Sequence, residues 1–286
     1  MKKILSFAFI ILSSISTFAF DWPQNEIMSD SFFTYFAQLR GSLLSSSLIF
    51  SGSTQIKTVE KGYITMVLSE HDEEPFLFES TLGNAVLQMH DDKLLTVYAN
   101  LDSQGQNERY LLDKVEKAVD LGECGISGWQ EKNALLEFQV IDLVSKTILN
   151  PRILMPRFGN ELPLNLSNIC AINKKGAEID FSSQKKIASG TYLLYADRQE
   201  RAMPYKTTVL VNGALADTIT YDTIVQIEGK LCTKGKKNYP TALIYPDSKK
   251  QLLAEISIPK GKTKITLIIA DILGEEKTQT YNLEVF

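Results

Sequence analysis

Histidine is the scarcest chemically versatile residue in this chain: 286 residues include two, His71 and His90, beside three cysteines, Cys124, Cys170 and Cys232. Two histidines give little from which to build a histidine-rich metal centre, and three cysteines are too few for a disulfide framework. Two readings of the cysteines stay open: one bridged pair with one free thiol, or three buried small apolar side chains. A nucleophile at Cys124 would need a neighbouring His base, which no local pattern supplies. No Gly-x-Ser-x-Gly elbow, P-loop or dinucleotide glycine fingerprint is present, so the common serine-hydrolase and nucleotide-binding chemistries have no signature here. Beyond the first 20 residues no apolar run is long enough for a membrane-spanning helix, which needs about 20 such residues. Excess positive charge is also missing. With 30 Lys and Arg against 34 Asp and Glu the formal charge is -4, and an acidic chain lacks the basic footprint of a nucleic-acid partner.

What is present begins with a leader. Lys2 and Lys3 precede an apolar run over 4–15, and Thr17-Phe18-Ala19 supplies small residues at cleavage spacing. Residues 1–19 therefore read as a cleaved signal peptide, with an uncleaved anchor as the alternative. Export across the inner membrane to the periplasm is expected, and no Cys follows to accept a lipid. Loss of Lys2 and Lys3 takes the charge from -4 to -6 (−4 − 2). The remainder, at 44% hydrophobic and 22% charged residues overall, is ordinary globular material, long enough for two domains with their own cores.

The first part reads as short strands between turns. Residues 20–40 form an aromatic lead-in, Phe32-Phe33-Thr34-Tyr35-Phe36, whose rings are expected in packing. Residues 56–64 alternate into and out of Gly62, which predicts a strand, a tight turn and a second strand running on through Met66-Val67-Leu68. The charged segment Glu70-His71-Asp72-Glu73-Glu74-Pro75 reads as a solvated loop, because its acids are consecutive and no Gly bends it as a calcium loop requires. Segments 84–90 and 94–101, joined by Asp91-Asp92-Lys93, predict an antiparallel pair, and His90 reads as a structural histidine. In 133–140, alternation puts Leu136, Phe138 and Val140 on an apolar face and Leu135, Glu137 and Gln139 on the other. Asn150-Pro151 marks an exit turn.

In their order these landmarks resemble the LytM or lysostaphin-like zinc endopeptidases of the bacterial cell wall, over about residues 41–156. The hairpin of that family resembles Ile56-Lys57-Thr58 through Gly62-Tyr63-Ile64. Its tyrosine strand resembles Thr96-Val97-Tyr98-Ala99-Asn100-Leu101, its glycine turns Leu121-Gly122 and Gly125-Ile126-Ser127-Gly128, and its closing dipeptide Asn150-Pro151. The chemistry of the family does not carry over. Its first His and Asp metal ligands fall near Leu43 and Ser47, its catalytic His becomes Asn100, and its His-x-His pair becomes Leu135 and Glu137. Catalytic zinc usually takes three protein ligands and a water, and Glu137 alone offers a donor. The resemblance therefore implies a silent relative with no catalytic residue, no metal and no cofactor, whose groove-facing candidates are Tyr98, Asn100, Leu135, Glu137 and Gln139.

Beyond Pro156, strand-like runs at 190–195, 205–211, 252–258, 264–271 and 280–286 recur between Gly, Asn and Pro, which predicts an all-β sandwich. The run Gly261-Lys262-Thr263-Lys264-Ile265-Thr266-Leu267 with Asp271 and Gly274 resembles the closing strands of bacterial immunoglobulin-like domains. Asp271 and Glu284 read as a turn former and a solvent-facing strand residue, and the Lys-rich 234–237 and 249–250 as solvated loops. The expected fold class is all-β, a LytM-like (duplicated hybrid motif) sheet domain followed by an immunoglobulin-like β-sandwich. Its divisions are 1–19 signal peptide, 20–40 lead-in, 41–157 LytM-like and 158–286 sandwich. The function implied is binding or regulation of a cell-wall amidase, another envelope protein, or peptidoglycan itself. Alternatives are a zinc endopeptidase using Glu137 among unusual ligands, and a structural envelope assembly protein.

Overall fold

The computed structural model describes residues 20–51, 55–70, 80–103, 114–129, 133–157 and 159–286. The leader at 1–19 and the charged loop beyond Glu70 lie outside the described residues. The protein is nearly all β. The first half carries β1 (Phe32–Thr34), β2 (Leu39–Arg40), β3 (Leu43–Leu44), β4 (Leu48–Phe50), β5 (Gln55–Lys57), β6 (Gly62–Leu68), β7 (Ala85–Met89), β8 (Leu94–Ala99), β9 (Lys114–Val115), β10 (Asp120–Glu123), β11 (Glu137–Asp142) and β12 (Thr147–Leu149). The second carries β13 (Cys170–Asn173), β14 (Glu178–Asp180), β15 (Lys186–Ile187), β16 (Gly190–Asp197), β17 (Lys206–Val211), β18 (Ala214–Ile227), β19 (Lys230–Lys234), β20 (Asn238–Pro240), the single-turn helix α1 (Thr241–Ile244), β21 (Lys250–Ile258), β22 (Gly261–Ala270) and β23 (Glu276–Val285).

In the first half the antiparallel order is β9-β6-β7-β8-β11, with β4 and β12 both pairing β11. β7 and β8 form the expected pair around a turn in which Lys93 has φ 67. The strands flanking Gly62 both form, but not as a hairpin: β5 pairs β10, and β6 pairs β7 and β9. Thr58 diverts the chain, since its backbone exchanges hydrogen bonds with Val119 and Ala118 while its hydroxyl donates to the Glu116 carbonyl. The apolar face expected of 133–140 forms, although Glu137 on the opposite face is buried as well. Leu136, Phe138 and Val140 are fully enclosed with Phe20, Phe32, Leu48, Ile56 and Tyr98 in one core. The aromatic lead-in contributes Phe32 and Tyr35 to that core, whereas Phe33 points outward.

The second half places β14-β13-β16-β21 in one sheet and β15-β23-β22-β17-β18 in the other. Their inner faces share a core that includes Ala171, Leu194, Ala254 and Ile256 from the first sheet and Val209, Ile265, Leu267 and Leu283 from the second. A two-sheet sandwich follows from strands whose apolar residues alternate.

The two halves are not separate bodies joined by a linker at 157/158. β12 pairs β18 through Ile148↔Ile224 and Leu149↔Thr223, so one sheet path runs from β15 to β9 through both halves. A third core straddles the junction, with Phe36, Ala37 and Leu44 packed among Ile219, Tyr221, Ile224, Tyr239 and Tyr245. Polar bonds fix the same contact. The Asn150 amide donates to the Tyr221 carbonyl at 3.0 Å, the Tyr245 hydroxyl to the Ala37 carbonyl at 3.1 Å, and the Gln38 amide to the Ala202 carbonyl at 3.0 Å.

Candidate functional site

The outer face of β11 starts with a charge. Glu137 is 4% exposed, and an ionised carboxylate at that depth needs a partner and donors. Both arrive from the segment before β4. The β4 pairing Glu137↔Ile49 brings Ser47 alongside, and the Ser47 hydroxyl donates to Glu137 Oε1 at 2.5 Å. The β2–β3 hairpin turns through Gly41, at φ 61, a left-handed position that glycine occupies without Cβ strain. That turn lays Arg40 over the carboxylate, with Nη1 2.9 Å from Oε1 and Nη2 3.4 Å from the Trp129 carbonyl. Gln139, next on the same face, donates to Oε1 and to Ser46 Oγ, each at 3.4 Å.

Beside this cluster, Asn100 is a tie. It is fully buried at φ 64, a left-handed conformation that Asn tolerates better than most side chains. Its Nδ2 reaches the carbonyls of Leu135 (2.7 Å), Gly125 (2.8 Å) and Asn133 (3.1 Å), and its Oδ1 accepts from Gly128 N at 2.8 Å. The loop comes this close because Gly125 has no Cβ; one added there would meet the Leu101 carbonyl at 2.5 Å. Asn100 is thus occupied in joining β8, the 125–128 loop and the entry to β11, and is not a groove residue as expected. Tyr98 also leaves the expected groove. It lies fully buried on the core side, where its hydroxyl accepts from Val59 N and donates to Gln88 Oε1, and burial pushes its phenol far above the usual range. Leu135 and Gln139 are half-buried, and Gln139 lies on the Glu137 side of β11.

Of the positions matched to zinc ligands, Ser47 and Glu137 meet while Leu43 is exposed, and Asn100, matched to the catalytic His, touches Leu135 of the former His-x-His pair; the set does not fit a metal. The Glu137 oxygen facing Ser47 already receives a guanidinium, and Asn100 has spent its amide on backbone. Among the described residues no three His, Cys, Asp or Glu side chains form a metal-holding group. His90 is satisfied at both nitrogens. Nδ1 lies 2.9 Å from the Lys61 carbonyl and so must be the donor, leaving Nε2 to accept from Thr96 Oγ1 at 2.9 Å. Burial lowers its pKa, which keeps the ring neutral. All three cysteines are buried free thiols, and burial raises Cys124 to about 11 and Cys170 to about 12, the opposite of an activated nucleophile.

Over the ion pair opens a cleft of ≈ 180 Å³ lined by Phe33, Thr34, Leu39, Arg40, Gly41, Ile49 and Trp129. Phe33 is 52% and Trp129 69% exposed, so two aromatic faces flank a guanidinium. Sequence reasoning named neither Arg40 nor these two rings as site residues. The strand alternation Phe32 in, Phe33 out was the available signal for one of them.

A model of a protein family matches residues 163–286. A protein of Treponema pallidum (strain Nichols), described as an uncharacterized protein, is 31% identical over 127 residues, covering 41% of this chain and 84% of the relative. The chain belongs to the family of that Treponema protein.

Proposed function

We propose that the protein is a non-catalytic binding component of the cell envelope, exported by its leader to the periplasm, in which a degenerate LytM-like first half holds a cell-wall partner. The observation that carries this is the Arg40–Glu137–Ser47 contact, in which two of the positions matched to metal ligands, Ser47 and Glu137, meet a guanidinium. A guanidinium there neutralises the carboxylate but offers no open coordination position to activate water. The cleft beside it has the ingredients of recognition, two exposed aromatic faces and a partly accessible cation. The same reading takes the second half as an immunoglobulin-like module. It is supported by strand order: β13-β16-β21 in one sheet and β23-β22-β17-β18 in the other follow the A-B-E and G-F-C-C′ arrangement of that fold.

Incubation of the mature chain with insoluble cell wall, and separately with soluble envelope extract, tests the reading. Retention on cell wall that Trp129→Ala abolishes assigns peptidoglycan as the partner. Capture of an amidase or another hydrolase by the same face assigns a regulatory role. Binding to neither overturns the proposal, and stoichiometric zinc in the purified protein overturns its non-catalytic part.

A further inference from the structure

A second cleft, of ≈ 500 Å³, lies far along the fold at the β15–β23–β22 end of the sandwich, and its lining includes Lys185, Lys186, Lys262 and Lys264 against one acid, Glu284. The lining charge is +3 (4 − 1) in a chain whose formal charge is -4. Lys186 pairs Glu284 at 3.3 Å with both side chains largely exposed, an arrangement worth little against solvent. Lys185 donates to the Phe181 carbonyl and sits 5.3 Å over the Tyr281 ring. Lys262 and Lys264 are exposed, and among the described residues no acidic side chain forms an ion pair with either. They share one face of β22 two residues apart, a separation of about 7 Å along a strand.

The backbone that carries them is fixed. Lys264 N donates to Asn212 Oδ1 and Asn212 N to the Lys264 carbonyl, both at 2.8 Å, while β22 pairs β17 on one side and β23 on the other. Next to the lysines the same outer face presents Asn282, Thr280 and Thr266, the last two with hydroxyls 3.4 Å apart. Clustered ammonium groups beside neutral amides and hydroxyls match a chain of hydroxyls and acidic groups, and Phe286, 71% exposed two residues past Glu284, adds an aromatic face on which a sugar ring stacks. Concavity favours a chain over a flat bilayer.

We propose that this cleft binds an acidic polysaccharide, with Lys262 and Lys264 as its principal charge contacts. The site is independent of the Phe33–Arg40–Trp129 cleft. Titration of the full mature chain with hexagalacturonate, with a neutral hexasaccharide and phosphatidylglycerol vesicles alongside, reads it directly. Binding of hexagalacturonate alone is expected, weakened at least 10-fold by K262Q/K264Q and several-fold between 50 and 200 mM salt, with unchanged thermal unfolding of the variant. Trp129→Ala should leave it intact. Absence of hexagalacturonate binding at 50 mM salt, or equal binding by the double variant, overturns the proposal. Binding to vesicles without the hexasaccharide reassigns the cleft to a lipid surface and overturns it as well.

Discussion

Among the carboxylates buried in the described residues, Glu137 in the first half and Asp217 in the second are held in opposite ways. Asp217, on β18, is 2% exposed and meets neutral donors: the Tyr239 hydroxyl and Glu255 N on Oδ2, and Lys236 N on Oδ1. Glu137, on β11, has Arg40, Ser47 and Gln139 all converging on Oε1, and the arginine is 35% exposed at the floor of a cleft. Asp217 closes a sheet edge. Glu255 belongs to β21, whose outer side has no strand partner among the described residues; its N–H finds the Asp217 carboxylate, its carbonyl takes the Lys236 ammonium, and the Leu253 carbonyl takes the Thr207 hydroxyl. Sealing an edge in this way blocks pairing with other chains. Every contact of Asp217 is internal, whereas Glu137 holds a cation that is 35% exposed at a cleft, the arrangement on which the binding proposal rests.

The contrast is sharpest in stability. Asp217→Asn puts an amide N–H₂ against backbone donors at one oxygen or the other, and urea unfolding should show a loss of about 3 kcal/mol. Glu137→Gln keeps an acceptor oxygen for Arg40, Ser47 and Gln139, so its loss should be about 1 kcal/mol. Equal losses would break the distinction.

Acid supplies the next effect. His90 is held neutral, with burial keeping its folded pKa below the ordinary histidine value of about 6.5, so below about pH 6.5 the unfolded chain binds a proton that the folded chain refuses. Stability should therefore rise with pH up to about 6.5 and fall as pH drops below it toward the lower folded pKa, by at most about 1.4 kcal/mol per pH unit. Denaturant midpoints between pH 5 and 7.5 read this, and His90→Gln should remove that part of the slope.

The smallest effect on stability belongs to the cleft. Trp129→Ala should shift unfolding by less than about 0.5 kcal/mol, because an exposed ring buries little on folding, yet it should abolish partner retention. A large destabilisation would make Trp129 part of the scaffold and remove the difference between the two halves.

Much of the local structure was legible. The alternation in 133–140 placed Leu136, Phe138 and Val140 in the core, the Asp91-Asp92-Lys93 turn joined β7 to β8, and the strand-like run at 205–211 became β17. Other features were not. β18, at 14 residues the longest described strand, buries Asp217, Ile219 and Tyr221 in alternation and then changes phase at the irregularity between Thr220 and Ile224, where its partners change: it pairs β17 and β19, and near its end β12. Tyr98 and Asn100 looked like groove residues because their order in the sequence matched, whereas the side of β8 that each presents depends on what β5, β10 and the 125–128 loop place against it. Arg40 carried no signal, since nothing local distinguishes an arginine that salts a buried acid 97 positions away from one in solvent.

The sequence by itself determined an all-β chain of short and then longer strands, an apolar face for β11, and the lack of a histidine set for zinc. Those properties follow from side-chain period and residue chemistry, which act over a few neighbours. Tertiary structure alone decided that the two halves share one sheet, that Asn100 is a tie and not a contact, that a guanidinium faces Glu137, and that four lysines gather at one end. Each of these depends on residues distant in the chain meeting across a sheet, where the hydrogen-bonding and charge needs of buried groups select the partner.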